Sequence, residues 1–267
     1  MDQDQKIIFL NSYLPRTGHN FAAEVLKIFT DHEVLPHNRS ETRLSTILDQ
    51  YFKFRNQKVR HHTDQHFLND IFLKEVRSNI LKKSTRRYIM IKDTSLVGVD
   101  WLPIVFPNDH HIVLVRDPKN VFLSLLKGMT LKKHSIRNRL KKITKPLGIY
   151  PYTYSKKLSQ LVLSQLPDLS NHKIIRYEAL VQKEEQVLKE LKSQFGCTKS
   201  IGQIKVEIDS IQVINSSFFK ETGGKKIWDL KPRTSKFDPV NRKSENVLIQ
   251  KGVELGSKKL RKKLNYI

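Results

Sequence analysis

Short apolar runs rich in β-branched residues alternate with amphipathic stretches along this chain. The runs have the length and composition of buried strands and lie at 6–10, 88–93, 110–117 and 172–178. Helical spacing of apolar residues follows the first, third and fourth runs. This alternation predicts an α/β fold with a central parallel sheet flanked by helices, in a single domain spanning 1–267. Ligands of such sheets bind beyond the carboxyl ends of the strands.

Three further segments do not follow the strand and helix alternation. Residues 31–87 and 128–171 are helical in pattern and rich in Lys, Arg, His and Tyr, so we interpret them as helical insertions of the same domain. The segment 223–267 begins with Gly-Gly and ends in basic clusters. It predicts a loop followed by a surface helix.

The charge of the chain indicates an anionic partner. Forty-nine Lys and Arg against 26 Asp and Glu give a formal net charge of +23. A field of that size favours nucleic acid, an acidic membrane surface, an acidic polymer or a phosphate-rich ligand. Charge alone does not distinguish these four, and a solvated Lys-rich surface remains the simplest alternative.

Cysteine content and the first residues bear on location. Cys197 is the only cysteine, which excludes an intrachain disulfide and a cysteine-based zinc site. Five polar residues precede the first apolar run, and no later stretch has the length of a membrane span. The sequence thus predicts a soluble, cytoplasmic protein without a signal peptide or a transmembrane segment.

The loop "PRTGHN" between the first strand and the first helix has the character of an anion site. Backbone N–H groups at a helix N-terminus attract negative charge. Gly18 permits close approach of an anion, Arg16 adds a fixed charge, and Thr17 and Asn20 add hydrogen-bond donors. The triphosphate loop of kinases requires G-x-x-x-x-G-K-[ST], a pattern that this loop lacks.

A second anion motif lies at "VRDPKNVFLSLLKG". Asp117 is suited to cap a helix, Pro118 fits the first helical position, and the residues that follow divide into an apolar and a polar stripe. Arg116 ends the preceding strand, and Ser124 falls on the polar stripe eight residues later.

Together these two motifs resemble the sulfotransferases that use 3′-phosphoadenosine 5′-phosphosulfate (PAPS), which have a P-loop-like fold and a P-[KR]-[ST]-G loop after the first strand. The resemblance implies that Arg16, Thr17, Gly18, His19, Asn20 and Phe21 hold the 5′-phosphosulfate, and that Arg116 and Ser124 grip the 3′-phosphate. Because the loop has Arg and Thr, it looks more like the carbohydrate-directed branch than the small-phenol branch. The implied acceptor is a hydroxyl or amine of a glycan or glycolipid, and 31–87 and 128–171 would form its side of the site.

Two later segments resemble further family elements. "IIRYEAL" is similar to a strand-borne Y-E-D-L segment, which implies that Tyr177 lies near the adenine, although Ala179 replaces the usual acid. "NSSFFKETGGKK" is similar to the late loop that closes over the nucleotide, and three lysines are its candidate contacts: Lys220, Lys225 and Lys226. Phe21 stands where an aromatic ring stacks on adenine, but its helical spacing is equally typical of a core residue.

The base that accepts the acceptor proton is predicted near the end of the second strand. In the small-phenol branch a His follows this strand, where the chain has Lys92, Asp93 and Thr94. Asp93 is the first candidate, since a carboxylate at a strand end faces the ligand cleft. His19, inside the anion loop, is an alternative, as are the histidines at 61 and 62.

No metal is expected for this chemistry. "RHHTDQHF" brings His62 and His66 to one helical face, but exposed histidines among cations are usually solvated.

Two alternatives to a sulfotransferase stay open from the residues: a nucleotide-dependent P-loop kinase or phosphotransferase, and a non-enzymatic polyanion- or nucleic-acid-binding protein. The second lacks a helix-turn-helix or RNP-type signature, so no specific nucleic acid is expected as partner.

Overall fold

The computed structural model describes residues 5–37, 40–128, 136–211, 213–222, 225–231 and 246–267. Its strands are β1 (Lys6–Ser12), β2 (Glu33–Val34), β3 (Tyr88–Asp93), β4 (His110–Val115), β5 (Lys173–Arg176), β6 (Val213–Thr222) and β7 (Lys225–Lys231). Its helices are α1 (His19–Thr30), α2 (Leu44–Lys58), α3 (His62–Phe72), α4 (Val76–Leu81), α5 (Leu102–Val105), α6 (Pro118–Gly128), α7 (Ile136–Thr144), α8 (Ile149–Ser164), α9 (Tyr177–Gln182), α10 (Glu185–Phe195), α11 (Ile201–Ser210) and α12 (Val247–Lys263), with a 3₁₀ turn at Val99–Trp101.

Two compact units interleave along the chain. The first comprises Met1–Leu114 and Leu166–Asp209, and the second comprises Val115–Gln165 and Ser210–Ile267. Each unit is therefore built from two separate stretches of sequence.

The first unit contains a five-stranded sheet in the order β2-β3-β1-β4-β5. The pairings of β1 with β3, β1 with β4 and β2 with β3 are parallel, and α1 packs on β1, α9 and α10. The central strands are buried on both faces, which explains why "IIFL" and "IVLV" read as continuous apolar runs rather than alternating ones. The predicted α/β class, with a central parallel sheet flanked by helices, is confirmed.

Strand ends differ from the sequence prediction at two places. β4 ends at Val115 rather than at 117, because the Asp117 carboxylate accepts a hydrogen bond from the Lys119 N–H and so caps α6. β5 ends at Arg176, so that Tyr177 opens α9 instead of lying in a strand. The good helix formers Glu178, Ala179 and Leu180 account for this earlier helix start.

The segment 31–87 is mainly helical, as expected, and carries α2, α3 and α4. It also contains β2, which pairs with β3 at the edge of the sheet. The sequence analysis did not predict this short strand.

The second unit is built around α8 and α12, which pack closely. A Cβ on Gly252 would lie 2.3 Å from the Gly148 carbonyl oxygen, and one on Gly256 would lie 2.5 Å from the Tyr152 carbonyl oxygen. Only glycine allows the two backbones to approach this far. The predicted C-terminal helix corresponds to α12, which buries one face, including Val253 and Leu260, and leaves residues such as Lys251 and Leu255 exposed.

An antiparallel hairpin of β6 and β7 completes the described part of the second unit, with Thr222 paired to Lys225 and Lys220 to Ile227. We had predicted a loop here. The Gly-Gly pair between runs such as "KKIWDLK" is a hairpin signal that the prediction overlooked. Residues 223–224 and 232–245, also part of the predicted loop, lie outside the described residues.

Candidate active site

The Gly18 loop (residues 13–18) joins the carboxyl end of β1 to α1 in the first unit. Arg16 and Gly18 both have positive φ, 76° and 105°, a conformation that is uncommon for a residue with a side chain. The Thr17 hydroxyl, which is buried, donates to the Leu14 carbonyl at 2.6 Å. Thr17 thus braces the loop from inside.

Gly18 is required for two separate reasons. Besides its positive φ, a Cβ at this position would lie 2.2 Å from the Tyr177 ring. No side chain caps the N-terminus of α1, so the partial positive charge of this helix end is not offset by a capping carboxylate or hydroxyl. The uncapped helix start suits the predicted anion loop, but the Thr17 hydroxyl, predicted as a donor to the anion, donates within the loop instead. Anion binding by the loop stays a prediction.

Tyr177 and Phe21 form an aromatic wall beside Gly18. Their ring centroids lie 5.7 Å apart in an edge-to-face arrangement, and Tyr177 is buried while Phe21 is half-buried. Tyr177 therefore supports the loop directly. The predicted contacts of both rings with adenine stay predictions.

Parallel pairing of β1 with β3 brings the strand ends together. Asn11 is in register with Asp93, and Leu10 with Lys92. The residues after β1 and the residues ending β3 consequently meet at one edge of the sheet, where the α/β arrangement places ligands. The loop and the predicted base belong to the same part of the molecule.

Lys92 is a site residue to which the sequence reasoning assigned no role. Its side chain is only 2% exposed, and its Nζ donates to Asn20 Oδ1 at 2.9 Å. Burial lowers the pKa of Lys92 to about 8, although Glu24 and Glu41 oppose the shift. At neutral pH Lys92 is a buried cation held against the first turn of α1.

His19 follows Gly18 and is buried. Neither ring nitrogen has a hydrogen-bond partner among the described residues. Burial and the nearby charge of Lys92 lower the pKa of His19 to about 3, and the Asn11 backbone opposes the shift. The ring is therefore neutral at physiological pH and a weak base.

Asp93 is buried at the end of β3. Its Oδ1 lies 3.4 Å from Arg43 Nη1, and its Oδ2 accepts from the Ser45 hydroxyl at 3.4 Å. Burial raises the pKa of Asp93 to about 6; Arg43 opposes the shift and Glu41 adds to it. A carboxylate with this pKa is ionised at neutral pH yet far more basic than an ordinary Asp.

The segment around Arg43 was missed by the sequence reasoning. Glu41 accepts a hydrogen bond from the Thr94 hydroxyl at 2.8 Å, and Arg43 lies 3.6 Å from Glu41. Both residues precede α2, in a stretch without a recognisable motif. The fold places this stretch against the end of β3, and only this placement shows that Glu41 and Arg43 lie near Asp93.

Arg116 and Ser124 belong to the second unit. Arg116 directly follows β4, and Ser124 lies on α6; their exposed fractions are 4% and 2%. The predicted polar stripe of α6 is partly buried, since Asn120 is buried as well as Ser124, whereas Lys127 at the end of the helix is exposed. Buried polar side chains of this kind need specific partners, so an ordinary solvated serine is excluded.

The start of α6 is fastened to α12. Arg261 makes a two-pronged ion pair with Asp117, Nε to Oδ1 at 2.9 Å and Nη2 to Oδ2 at 3.1 Å. Lys119 Nζ lies 3.0 Å from a Glu254 carboxylate oxygen. We call these four residues the α6 anchor. Nothing in the sequence of the basic C-terminal cluster distinguished Arg261 from its neighbours.

The remaining predicted residues are placed as follows. Lys220 lies on β6, and Lys225 and Lys226 lie on β7; their side chains fall outside the described part of the structure. His61, His62 and His66 are exposed at the start of α3. Among the described residues, no three His, Cys, Asp or Glu side chains are grouped closely enough to hold a metal ion.

Comparison with known proteins identifies the family. A sequence model described as "Sulfotransferase family" matches residues 14–200, a range that includes Gly18, Asp93, Arg116 and Ser124. The chain belongs to the sulfotransferase family. The match ends before β6, so the late lysines lie outside it. No curated protein matches the chain.

Solved sulfotransferase structures are only distantly similar. The sulfotransferase domain of the Synechococcus PCC 7002 olefin synthase is 15% identical, with a TM-score of 0.38, covering 74% of this chain and 76% of that one. Mouse sulfotransferase SULT7A1 complexed with PAP is also 15% identical, with a TM-score of 0.38, covering 79% and 68%. Retinol dehydratase in complex with androsterone and inactive cofactor PAP is 15% identical, with a TM-score of 0.35, covering 76% and 63%. At such low similarity, membership of the family rests on the sequence model alone.

No helix among the described residues is long and apolar enough to cross a bilayer.

Proposed function

We propose that this sulfotransferase moves the sulfuryl group of PAPS to a hydroxyl or amine of a carbohydrate-containing acceptor, in the cytoplasm. The observation that carries the proposal is the arrangement at the aligned ends of β1 and β3. There, an uncapped helix start with Arg16 and Lys92 adjoins a buried carboxylate, Asp93, with a raised pKa. This arrangement combines an anion site and a base.

The roles follow from charge and protonation. The hydroxyl oxygen of the acceptor attacks the sulfur of PAPS while Asp93 takes the proton of that hydroxyl. The bond between sulfur and the oxygen that bridges it to phosphorus breaks. Negative charge then grows on the departing 5′-phosphate. Arg16, Lys92 and the N–H groups opening α1 stabilise that charge, because they are fixed before the reaction begins. Arg116 and Ser124 take the 3′-phosphate.

His19 is better suited to hydrogen bonding than to proton transfer. Its pKa of about 3 makes it a much weaker base than Asp93, with its pKa of about 6. Its buried ring nitrogens suit it to hydrogen-bond the phosphosulfate. We therefore assign the base to Asp93 and a binding role to His19.

A carbohydrate acceptor is supported by three features. The Gly18 loop has the Arg and Thr of the carbohydrate-directed form, and an acid rather than a His stands near the end of β3. The net charge of +23 suits an acidic polysaccharide or the headgroup of an acidic glycolipid. The kinase and nucleic-acid hypotheses have no comparable support, since neither accounts for the family match.

Two measurements test the proposal. Adenosine 3′,5′-bisphosphate (PAP) at about one hundred times its Kd should stabilise the protein by about 3 kcal/mol, whereas ATP with magnesium should not. Labelled PAPS should then transfer its sulfuryl group within a panel of glycans, glycolipids and phenols. If ATP with magnesium stabilised the protein and PAP did not, PAPS would be excluded as the donor. If only phenols accepted the sulfuryl group, the carbohydrate acceptor would be excluded.

A further inference from the structure

Helix α7 presents its apolar residues to solvent. Ile136, Leu140 and Ile143 recur at helical spacing, and their exposed fractions are 79%, 58% and 64%. By contrast, Lys141 is half-buried and its Nζ lies 5.5 Å from the Tyr150 ring centroid on α8. An amphipathic helix of a globular protein normally has the opposite orientation.

The exposed stripe extends beyond α7 within the second unit. Leu147 and Ile149 flank Gly148, and a Cβ on Gly148 would lie only 2.3 Å from the Leu248 carbonyl oxygen. Leu147, Ile149, Val247 and Leu248 are all about half exposed or more. We call this surface the α7 patch: Ile136, Leu140, Ile143, Leu147, Ile149, Val247 and Leu248. Several large exposed apolar residues in one part of a unit are typical of an interaction site.

The stretch of sequence that carries α7 has charges of one sign. No acidic residue occurs between Asp117 and Asp168. Arg139 and Lys142 are exposed and lie to one side of the apolar stripe on α7. A protein partner would need an apolar surface that fits the stripe and acidic residues that face the cations. An acidic polysaccharide would pair with the cations but would leave the aliphatic residues exposed to water. A bilayer with anionic headgroups satisfies both.

We propose that the α7 patch docks the protein on the surface of an anionic lipid bilayer, with the apolar stripe inserted at the level of the headgroups and the cations on the lipid phosphates. The patch lies entirely within the second unit, and the inference does not depend on the proposed sulfuryl-transfer site.

Vesicle co-sedimentation of the full chain tests the proposal. We expect binding to vesicles of phosphatidylglycerol and phosphatidylcholine, and little binding to phosphatidylcholine alone. The variant I136S/L140S/I143S should bind the mixed vesicles about a hundredfold more weakly, and R139Q/K142Q about tenfold more weakly. Matched controls on exposed residues elsewhere, V206S and K82Q/K83Q, should bind as the unaltered chain does.

A second measurement separates insertion from charge attraction. In Leu140→Trp, the new indole should shift its emission to the blue and become protected from iodide when mixed vesicles are added. Equal binding by the I136S/L140S/I143S variant would overturn the proposal. So would a dimer in solution that this variant dissociates, if the unaltered chain binds no vesicles, because the patch would then join two copies of the chain.

Discussion

The strand-end site of the first unit and the α6 anchor of the second solve different physical problems. Around Lys92 and Asp93, burial moves both pKa values toward neutrality, to about 8 and about 6. In the α6 anchor, Arg261 meets Asp117 with matched geometry and two short contacts. In the first region, burial disfavours the charged forms of Lys92 and Asp93. In the second, the charges of Arg261 and Asp117 form a close ion pair.

In the proposed function the two regions have different tasks. A group that moves a proton needs a pKa near the working pH, which costs stability. A group that only positions a phosphate needs rigidity, and a two-pronged Arg–carboxylate pair supplies it. Substitutions should therefore separate activity from stability in the first region and affect both together in the second.

The largest effect is expected from Asp93→Asn. Loss of the base should lower kcat by about 10²–10⁴-fold. The turnover of the unaltered protein should rise with pH through about 6, where Asp93 ionises, and the variant should lack this inflection. Initial rates at saturating PAPS from pH 5 to 8 measure both.

The contribution of Asp93 to the free energy of unfolding should change with pH in the opposite direction to the turnover. Because the pKa of Asp93 is raised on folding, its contribution is most favourable at low pH and is lost as pH rises through about 6. Asp93→Asn should thus unfold no more easily than the unaltered protein at pH 7. Asp70→Asn, on the exposed surface of α3, is the control, and normal turnover of Asp93→Asn would exclude Asp93 as base.

Removing Arg261 is the next largest change. Arg261→Ala leaves the mostly buried Asp117 carboxylate without its main partner, so the free energy of unfolding should fall by about 3–5 kcal/mol. Affinity for PAP should fall as well, since Asp117 adjoins Arg116. Urea unfolding and calorimetric titration measure the two.

Arg261→Lys sharpens this test. It keeps the charge but loses the two-pronged geometry, and should recover only part of the stability. Lys189→Ala breaks the exposed pair with Glu185 and should cost less than about 1 kcal/mol. If Arg261→Ala were as mild as Lys189→Ala, the α6 anchor would have no structural role.

The two regions were unequally predictable from the sequence. The central strands, the Gly18 loop and the Pro118 helix start depend on local periodicity and turn chemistry, and these elements lie where the patterns placed them, apart from the ends of β4 and β5. Glu41, Arg43 and Arg261 could not be recognised, because each acts through a partner far along the chain, such as Asp117 with Arg261. The burial that shifts the pKa of Lys92 is likewise a property of the assembled sheet.

Lys92→Met tests whether the buried cation costs stability. The pKa of Lys92 falls on folding, so the unaltered protein should gain stability relative to the variant as pH rises from about 8 to 10.5, by about 3 kcal/mol at most. Urea unfolding of both proteins at several pH values gives the difference. Lys82→Met, which replaces an exposed residue, should show no such trend. If the difference in unfolding free energy between the unaltered protein and Lys92→Met did not change with pH, the charge of Lys92 would not be penalised by burial.

Gly256→Ala should have the smallest effect and probes the packing that carries the α6 anchor. The new methyl group would lie 2.5 Å from the Tyr152 carbonyl oxygen, so α12 must shift and the free energy of unfolding should fall by about 1–3 kcal/mol. Gly202→Ala provides a matched contrast, because the nearest atom, Ser200 Oγ, lies 3.9 Å away and alanine favours a helix over glycine by about 1 kcal/mol. A shift of α12 also moves Arg261 relative to Asp117, so Gly256→Ala should weaken PAP binding and Gly202→Ala should not. Equal PAP affinity in the two variants would show that α12 positions α6 through the ion pairs alone, without depending on its close contact with α8.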